Sequence, residues 1–78
     1  MGKKTGRLSY NYNESRMGIL DRMDTWAESG LHSGECFEVF FEGNWVAERI
    51  EYDSSAKEWY LAYSRLTGAE LEGLKVRY

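Results

Sequence analysis

The chain has 78 residues, a net charge of −3 and a single cysteine. This length allows one domain, which on folding buries only about 60% of the surface that its unfolded chain exposes. A lone cysteine excludes an internal disulfide framework, and the acidic total argues against general binding to nucleic acid. Three Trp, six Tyr and three Phe supply bulk for a small core instead.

The composition also predicts a cellular setting. A free cysteine in a chain without an apolar secretion segment is typical of a reducing, intracellular compartment. No apolar run approaches the roughly 18–20 residues that cross a bilayer. We therefore expect a cytoplasmic protein that has no membrane partner.

The first predicted elements form a hairpin behind a polar tail. We expect residues 1–4 to be a flexible tail and residues 5–78 to fold as one domain. Alternation of apolar and polar residues predicts a first strand with three inward residues: Leu8, Tyr10 and Tyr12. A turn at residues 13–14 leads to a second strand, in which Gly18 is a weak point. The inward residues of this second strand are Met17 and Ile19.

Residues 21–35 are the least regular part of the chain. Asp24-Thr25 can cap one helical turn that ends at Gly30. Such a turn is too short to stand without tertiary support. The pattern therefore predicts a long loop with at most one turn of helix, held on the rest of the domain by Trp26 and Leu31.

The middle of the chain, residues 35–63, predicts a three-stranded antiparallel meander. Three runs rich in Phe, Val, Ile, Trp and Tyr are separated by a Gly-Asn step at residues 43–44 and by a polar turn, D-S-S-A-K. In the second run Glu48 lies on the same face as Val46. A buried, unpaired carboxylate is costly, so either a bulge shifts the register or this face opens to water.

The last segment predicts a turn, a 3₁₀ turn and a closing strand. Thr67-Gly68 is typical of a turn, residues 69–72 of a single 3₁₀ turn, and residues 74–78 alternate as a strand. The whole pattern predicts an all-β fold. We expect a small SH3-like barrel of five or six antiparallel strands, with a long early loop and at most a one-turn helix.

Seven short stretches also resemble a known family. They are L-S-Y, G-I-L-D, G-L-H-S-G-E, G-N-W, R-I-E-Y, W-Y-L and L-E-G-L-K-V-R, and together they span Leu8 to Arg77. In them the chain is similar to an uncharacterised family of short bacterial and mobile-element proteins, domain of unknown function 5348. The resemblance implies an SH3-like barrel. It implies no activity, because that family has no established catalytic or binding residues.

Few side chains are suited to catalysis or metal binding. His32, the only histidine, precedes Cys36 by four residues, whereas a structural zinc site needs four ligands. A histidine can activate a thiolate nucleophile, but a cysteine in an apolar strand is usually a small buried hydrophobe. Carboxylates at strand spacing are typical of solvent-facing cross-strand pairs. We therefore predict no metal site, no cofactor and no catalytic activity.

The aromatic residues are the strongest functional signal. The chain has more of them than so short a domain can bury, and exposed aromatic residues are enriched at interfaces. We predict an interaction module that binds a protein partner, or a second copy of itself, through an aromatic patch flanked by acidic side chains. The candidate binding residues are Trp45, Tyr60, Trp26, Tyr10 and Tyr12.

An alternative function follows from the uneven charge. Residues 1–23 hold five basic and two acidic residues, whereas residues 24–78 hold five basic and eleven acidic ones. A nucleic-acid-binding accessory protein of a mobile element or phage would use this basic N-terminal hairpin, with Tyr10 or Tyr12 stacked on a base. Its cations would be Lys3, Lys4, Arg7 and Arg16. Antiparallel pairing would instead neutralise these charges by placing opposite charges face to face.

Overall fold

A computed structural model describes residues 4–78. The runs of alternating apolar residues form strands of a single antiparallel sheet. The strands are β1 (Thr5–Asn11), β2 (Arg16–Leu20), β3 (Trp26–Glu28), β4 (Cys36–Phe41), β5 (Asn44–Asp53), β6 (Glu58–Leu61) and β7 (Lys75–Arg77). They are ordered β3-β2-β1-β7-β4-β5-β6, and a 3₁₀ turn, Gly68–Leu71, precedes β7. The predicted all-β class is confirmed. Seven strands form rather than five or six.

The N-terminal hairpin follows the predicted pattern except at its tip. Leu8 pairs with Ile19 and Tyr10 with Met17, and Leu8, Met17 and Ile19 are buried as expected. Tyr12 was predicted to point inward with them. It is 85% exposed instead, because β1 ends at Asn11 and Tyr12 lies in the turn that follows.

The additional strand, β3, occupies the segment where a loop or helical turn was predicted. It pairs with the end of β2, where Leu20 lies opposite Trp26. Gly18 permits this pairing: a Cβ there would lie 2.5 Å from the Glu28 carbonyl oxygen and 2.8 Å from the Trp26 ring. Asp21 fixes the preceding turn, because its Oδ1 accepts hydrogen bonds from the backbone N–H groups of residues 23 and 25 at 2.8 and 3.0 Å.

The central meander forms as predicted, with its first turn one residue earlier. Phe41 pairs with Asn44, so the two turn residues are Glu42 and Gly43, not Gly43 and Asn44. Both have positive φ, 50° and 84°. This is the combination that a type I′ hairpin turn requires.

Glu48 is buried at 5% exposure, and neither a bulge nor an open face explains it. The β4–β5 register runs without a shift through the pair Phe37 and Glu48. The two carboxylate oxygens accept hydrogen bonds from the backbone N–H groups of Tyr63 and Ser64, at 2.9 and 2.7 Å. The carboxylate is therefore paired with the turn that follows β6.

Residues 31–35 close the curved sheet. The Leu31 N–H donates to the Met17 carbonyl of β2 at 2.7 Å, and the Gly34 N–H donates to the Ile50 carbonyl of β5 at 2.7 Å. This connection links two strands that are not neighbours in the sheet, so the fold is barrel-like. The SH3-like topology itself stays a prediction. The buried apolar core consists of Leu8, Met17, Ile19, Leu31, Phe37, Val39, Ile50, Trp59, Leu61, Leu71 and Val76.

The C-terminal strand joins the two halves of the sheet. Val76 of β7 lies opposite Gly6 of β1 and Val39 of β4. The predicted 3₁₀ turn begins one residue earlier than expected, at Gly68. Within residues 4–78 the structure contains no helix long and apolar enough to cross a membrane.

Candidate binding groove

Two hairpins bring four aromatic rings to one side of the domain. Tyr10, near the end of β1, meets Tyr12 edge to face, with ring centroids 4.8 Å apart. Tyr52 of β5 lies opposite Trp59 of β6 in the strand register, and their ring centroids are 4.9 Å apart. These two pairs line two adjoining cavities that share Tyr10, Lys57 and Trp59. We call the four residues and the cavities between them the aromatic groove.

The first cavity of the groove, about 510 Å³, combines aromatic and acidic side chains. Tyr10, Tyr12 and Trp59 line it together with Glu58 and Glu72. The Ser9 hydroxyl donates to one Glu72 oxygen at 2.6 Å, and the Tyr10 backbone N–H donates to the other at 2.9 Å. Glu72 therefore anchors β1 to the segment that follows the 3₁₀ turn, and it fixes the position of Tyr10.

The second cavity, about 810 Å³, lies beyond Trp59 and is more polar. Arg16 places its guanidinium carbon 5.9 Å from the centre of the Trp59 ring. One of its nitrogens donates to the Leu31 carbonyl at 3.2 Å. His32 also lines this cavity, and its Nδ1 lies 3.1 Å from a Glu35 carboxylate oxygen.

The structure brings together only part of the predicted aromatic patch. Tyr10 and Tyr12 contact each other in the groove. Their partners, Tyr52 and Trp59, were not among the candidate binding residues. The sequence did carry a signal for them, because a four-residue turn at residues 54–57 sets these two positions opposite each other across the hairpin.

The remaining aromatic candidates lie apart from the groove. Trp45 is on the outer face, where its ring centroid is 5.2 Å from that of Phe40 and 4.4 Å from the Arg77 guanidinium carbon. Tyr60 is half-buried and forms an isolated bridge with Thr67. Trp26 is 36% exposed on the edge strand β3. No single patch therefore unites the five predicted residues, because their strands carry them to different parts of the barrel.

The basic candidates are also dispersed. Arg7 forms a salt bridge with Asp24 at 2.7 Å, whereas Arg16 lines the second cavity of the groove. The backbone of Lys4, just before β1, forms hydrogen bonds with the backbone of Tyr78. Lys3 lies outside the described residues. The Arg7–Asp24 pair comes from the turn before β3 and not from strand pairing, which places Arg7 opposite Leu20 and Lys75.

Cys36 was predicted to be buried, and this is wrong. It is exposed, because its side chain lies on the outer face of β4, together with those of Glu38 and Phe40. Its Sγ lies 3.7 Å from the Gly34 carbonyl oxygen, and the His32 ring is bonded to Glu35. In residues 4–78 no three His, Cys, Asp or Glu side chains are close enough together to hold a metal ion.

Comparison with known proteins places the chain in a family. The family model of a domain of unknown function, DUF5348, matches residues 6–78. The chain belongs to the DUF5348 family. A crystal structure of a protein from Ruminococcus gnavus, a structural-genomics target, is similar to this DUF5348 domain with 36% sequence identity and a TM-score of 0.77. The similarity covers 96% of this chain and 100% of that one. A search of curated proteins found no significant match.

Proposed function

We propose that this DUF5348 domain is a non-catalytic interaction module that binds an extended segment of a protein partner in the aromatic groove. The observation that carries the proposal is the convergence of two aromatic pairs, one from each of two separate hairpins, on two adjoining cavities. Aromatic residues at the surface of small domains commonly supply contact area for extended peptides. Polar side chains flank the rings and provide hydrogen-bonding groups for a peptide backbone.

The exposure of the tyrosine pair supports the same conclusion. Tyr12 is 85% exposed, so burial in the core does not explain why its ring packs against Tyr10. A Tyr ring that is already held by a neighbour loses little conformational freedom when a partner covers it. The pair is therefore suited to form one wall of a binding surface.

Selection from a random peptide library displayed on phage tests this proposal. We expect the wild-type domain to enrich peptides and Tyr12→Ala to weaken their binding by roughly ten-fold, as loss of an interface aromatic does. Tyr63→Ala is the matched control, because Tyr63 is also highly exposed, at 77%, but lies outside the groove. Failure of the folded wild-type domain to enrich any peptide would contradict the proposal, as would equal losses in the two variants.

The nucleic-acid alternative has less support from the geometry. Arg7 and Arg16 already contact Asp24 and the Leu31 carbonyl, and they lie on different parts of the surface. Titration of single-stranded oligonucleotides into the domain at two salt concentrations tests it, since such binding would weaken steeply with salt. Sedimentation of the domain alone tests the other alternative, binding to a second copy.

A further inference from the structure

We infer that the first cavity of the aromatic groove receives a cationic side chain, lysine or arginine, from the partner peptide. The inference rests on the proposed function and specifies the chemistry of what is bound. The three aromatic rings that line this cavity, those of Tyr10, Tyr12 and Trp59, lie beside the carboxylates of Glu58 and Glu72. Aromatic faces attract cations through their quadrupole, and adjacent carboxylates add charge-assisted hydrogen bonds.

The carboxylate of Glu58 is available to a cationic side chain of the partner. Glu58 lies directly opposite Asp53 across the β5–β6 hairpin, and like charges at such positions are destabilising. Asp53 accepts hydrogen bonds from the backbone N–H groups of Ser55 and Ala56 at 2.9 and 3.1 Å. Glu58 forms no salt bridge among residues 4–78. Arg65 lines a neighbouring cavity with both carboxylates but forms no salt bridge with either among residues 4–78, so a cation bound at Glu58 would relieve this repulsion.

The backbone beside Glu58 leaves room for its carboxylate. A Cβ on Gly68, at the start of the 3₁₀ turn, would lie 2.8 Å from Glu58 Oε1. With no side chain there, the carboxylate fits against the turn at the edge of the cavity. Lys57 also lines the cavity, but its side chain is exposed and forms no salt bridge within the described chain. It therefore does not neutralise the Glu58 carboxylate through a direct ion pair.

The charge of the whole domain favours the same occupant. Glu58 and Glu72 outnumber Lys57 around the cavity, and the chain carries a net charge of −3. A basic peptide would be attracted over longer distances as well as at the cavity, so its association should weaken with added salt. Glu72 holds Ser9 and Tyr10 in place and still has acceptor capacity, because a carboxylate offers about four lone-pair sites.

The test uses small probes that do not depend on finding a peptide. N-acetyl-arginine methylamide and N-acetyl-lysine methylamide are titrated into the ¹⁵N-labelled domain, each beside its neutral counterpart built on citrulline or norleucine. We expect amide resonances of residues 10–12 and 57–59 to shift with at least one cationic probe and not with the neutral ones. The arginine and lysine arms show which cation the cavity prefers.

Variants connect the response to Glu58. Glu58→Gln is expected to weaken binding of the cationic probe by roughly ten-fold, as loss of a charge-assisted hydrogen bond does. Glu42→Gln removes the same charge from the exposed β4–β5 turn and should leave binding unchanged. Thermal unfolding of each variant confirms that it is folded. Equal shifts with neutral and cationic probes would overturn the inference, as would unchanged binding in Glu58→Gln.

The peptide selection separates the two proposals. If enriched peptides bind the groove equally well after every Lys and Arg is replaced by norleucine or citrulline, the cation site is overturned while peptide binding stands. If no peptide is enriched but the cationic probes bind through Glu58, the interaction module is overturned and the cation site stands.

Discussion

At the scale of single residues, the titration of Glu38 connects one ion pair to the stability of the domain. Arg77 Nε donates to Glu38 Oε1 at 2.8 Å across β4 and β7. This hydrogen bond, together with the charge of Arg77, holds the pKa of Glu38 below its usual value. Because the folded pKa lies below the unfolded one, the stabilisation is fully present above pH about 4.3, the pKa of a free Glu, and is lost as the pH falls through the folded pKa.

Glu38→Gln should therefore destabilise the domain in a pH-dependent way. The melting temperature is expected to fall by a few degrees at neutral pH, and the difference from the wild type is expected to shrink as the pH falls through the folded pKa of Glu38 and its carboxylate becomes protonated. Thermal unfolding followed by circular dichroism measures this difference at each pH. Glu42→Gln serves as the control, with little change at any pH. A drop for Glu38→Gln that stays the same as the pH is lowered would show that packing, not charge, is responsible.

Among the strands, β3 depends on one glycine of its neighbour. A methyl group at residue 18 would meet the Glu28 carbonyl oxygen and the Trp26 ring at distances that force one of them to move. Gly18→Ala is expected to cost about 1–3 kcal/mol, as overpacking does, and to release β3 from β2. Amide hydrogen exchange of residues 26–28 and chemical denaturation measure the two effects.

Gly30→Ala is a matched control for this substitution. Its new methyl group would meet the Arg16 side chain at 3.0 Å, and a flexible side chain can move aside where a backbone carbonyl cannot. Faster exchange in β3 for Gly18→Ala, but not for Gly30→Ala, is the expected result. Unchanged exchange in Gly18→Ala would show that β3 tolerates the displacement.

Strand β3 also shows which strands cannot be predicted from the sequence. Alternation over five or more residues predicted β1, β2, β4 and β5 well, because one face of each is buried. The three residues of β3, W-A-E, are too few to show a period, and they pair only because Gly18 leaves space. Glu48 is a similar case: its charge on an apolar face was visible in the sequence, but its partners lie 15 and 16 residues further along the chain.

At the scale of the whole molecule, the groove could be only half predicted. Strand register within the β5–β6 hairpin is local, so the Tyr52–Trp59 pair was accessible to sequence reasoning. That Tyr10 and Trp59 line the same cavities depends on the curl of the entire sheet, which no short stretch encodes. The proposed patch of Trp45 and Tyr60 failed for a local reason, because the register places Tyr60 opposite Glu51, far along β5 from Trp45.

The curl depends on the connection that closes the barrel, and Leu31 is its buried anchor at 2% exposure. Leu31→Ala is expected to lower the free energy of unfolding by about 2–5 kcal/mol, a large share of the total of a domain this small. Leu20→Ala, at a half-buried position of β2, should cost less. Chemical denaturation at 25 °C compares the two. Residues 31–35 form hydrogen bonds with both β2 and β5. A folded Leu31→Ala variant should therefore also lose affinity for ligands of the aromatic groove, whereas Leu20→Ala should retain it. Equal affinity in both variants would show that the groove forms without this closure.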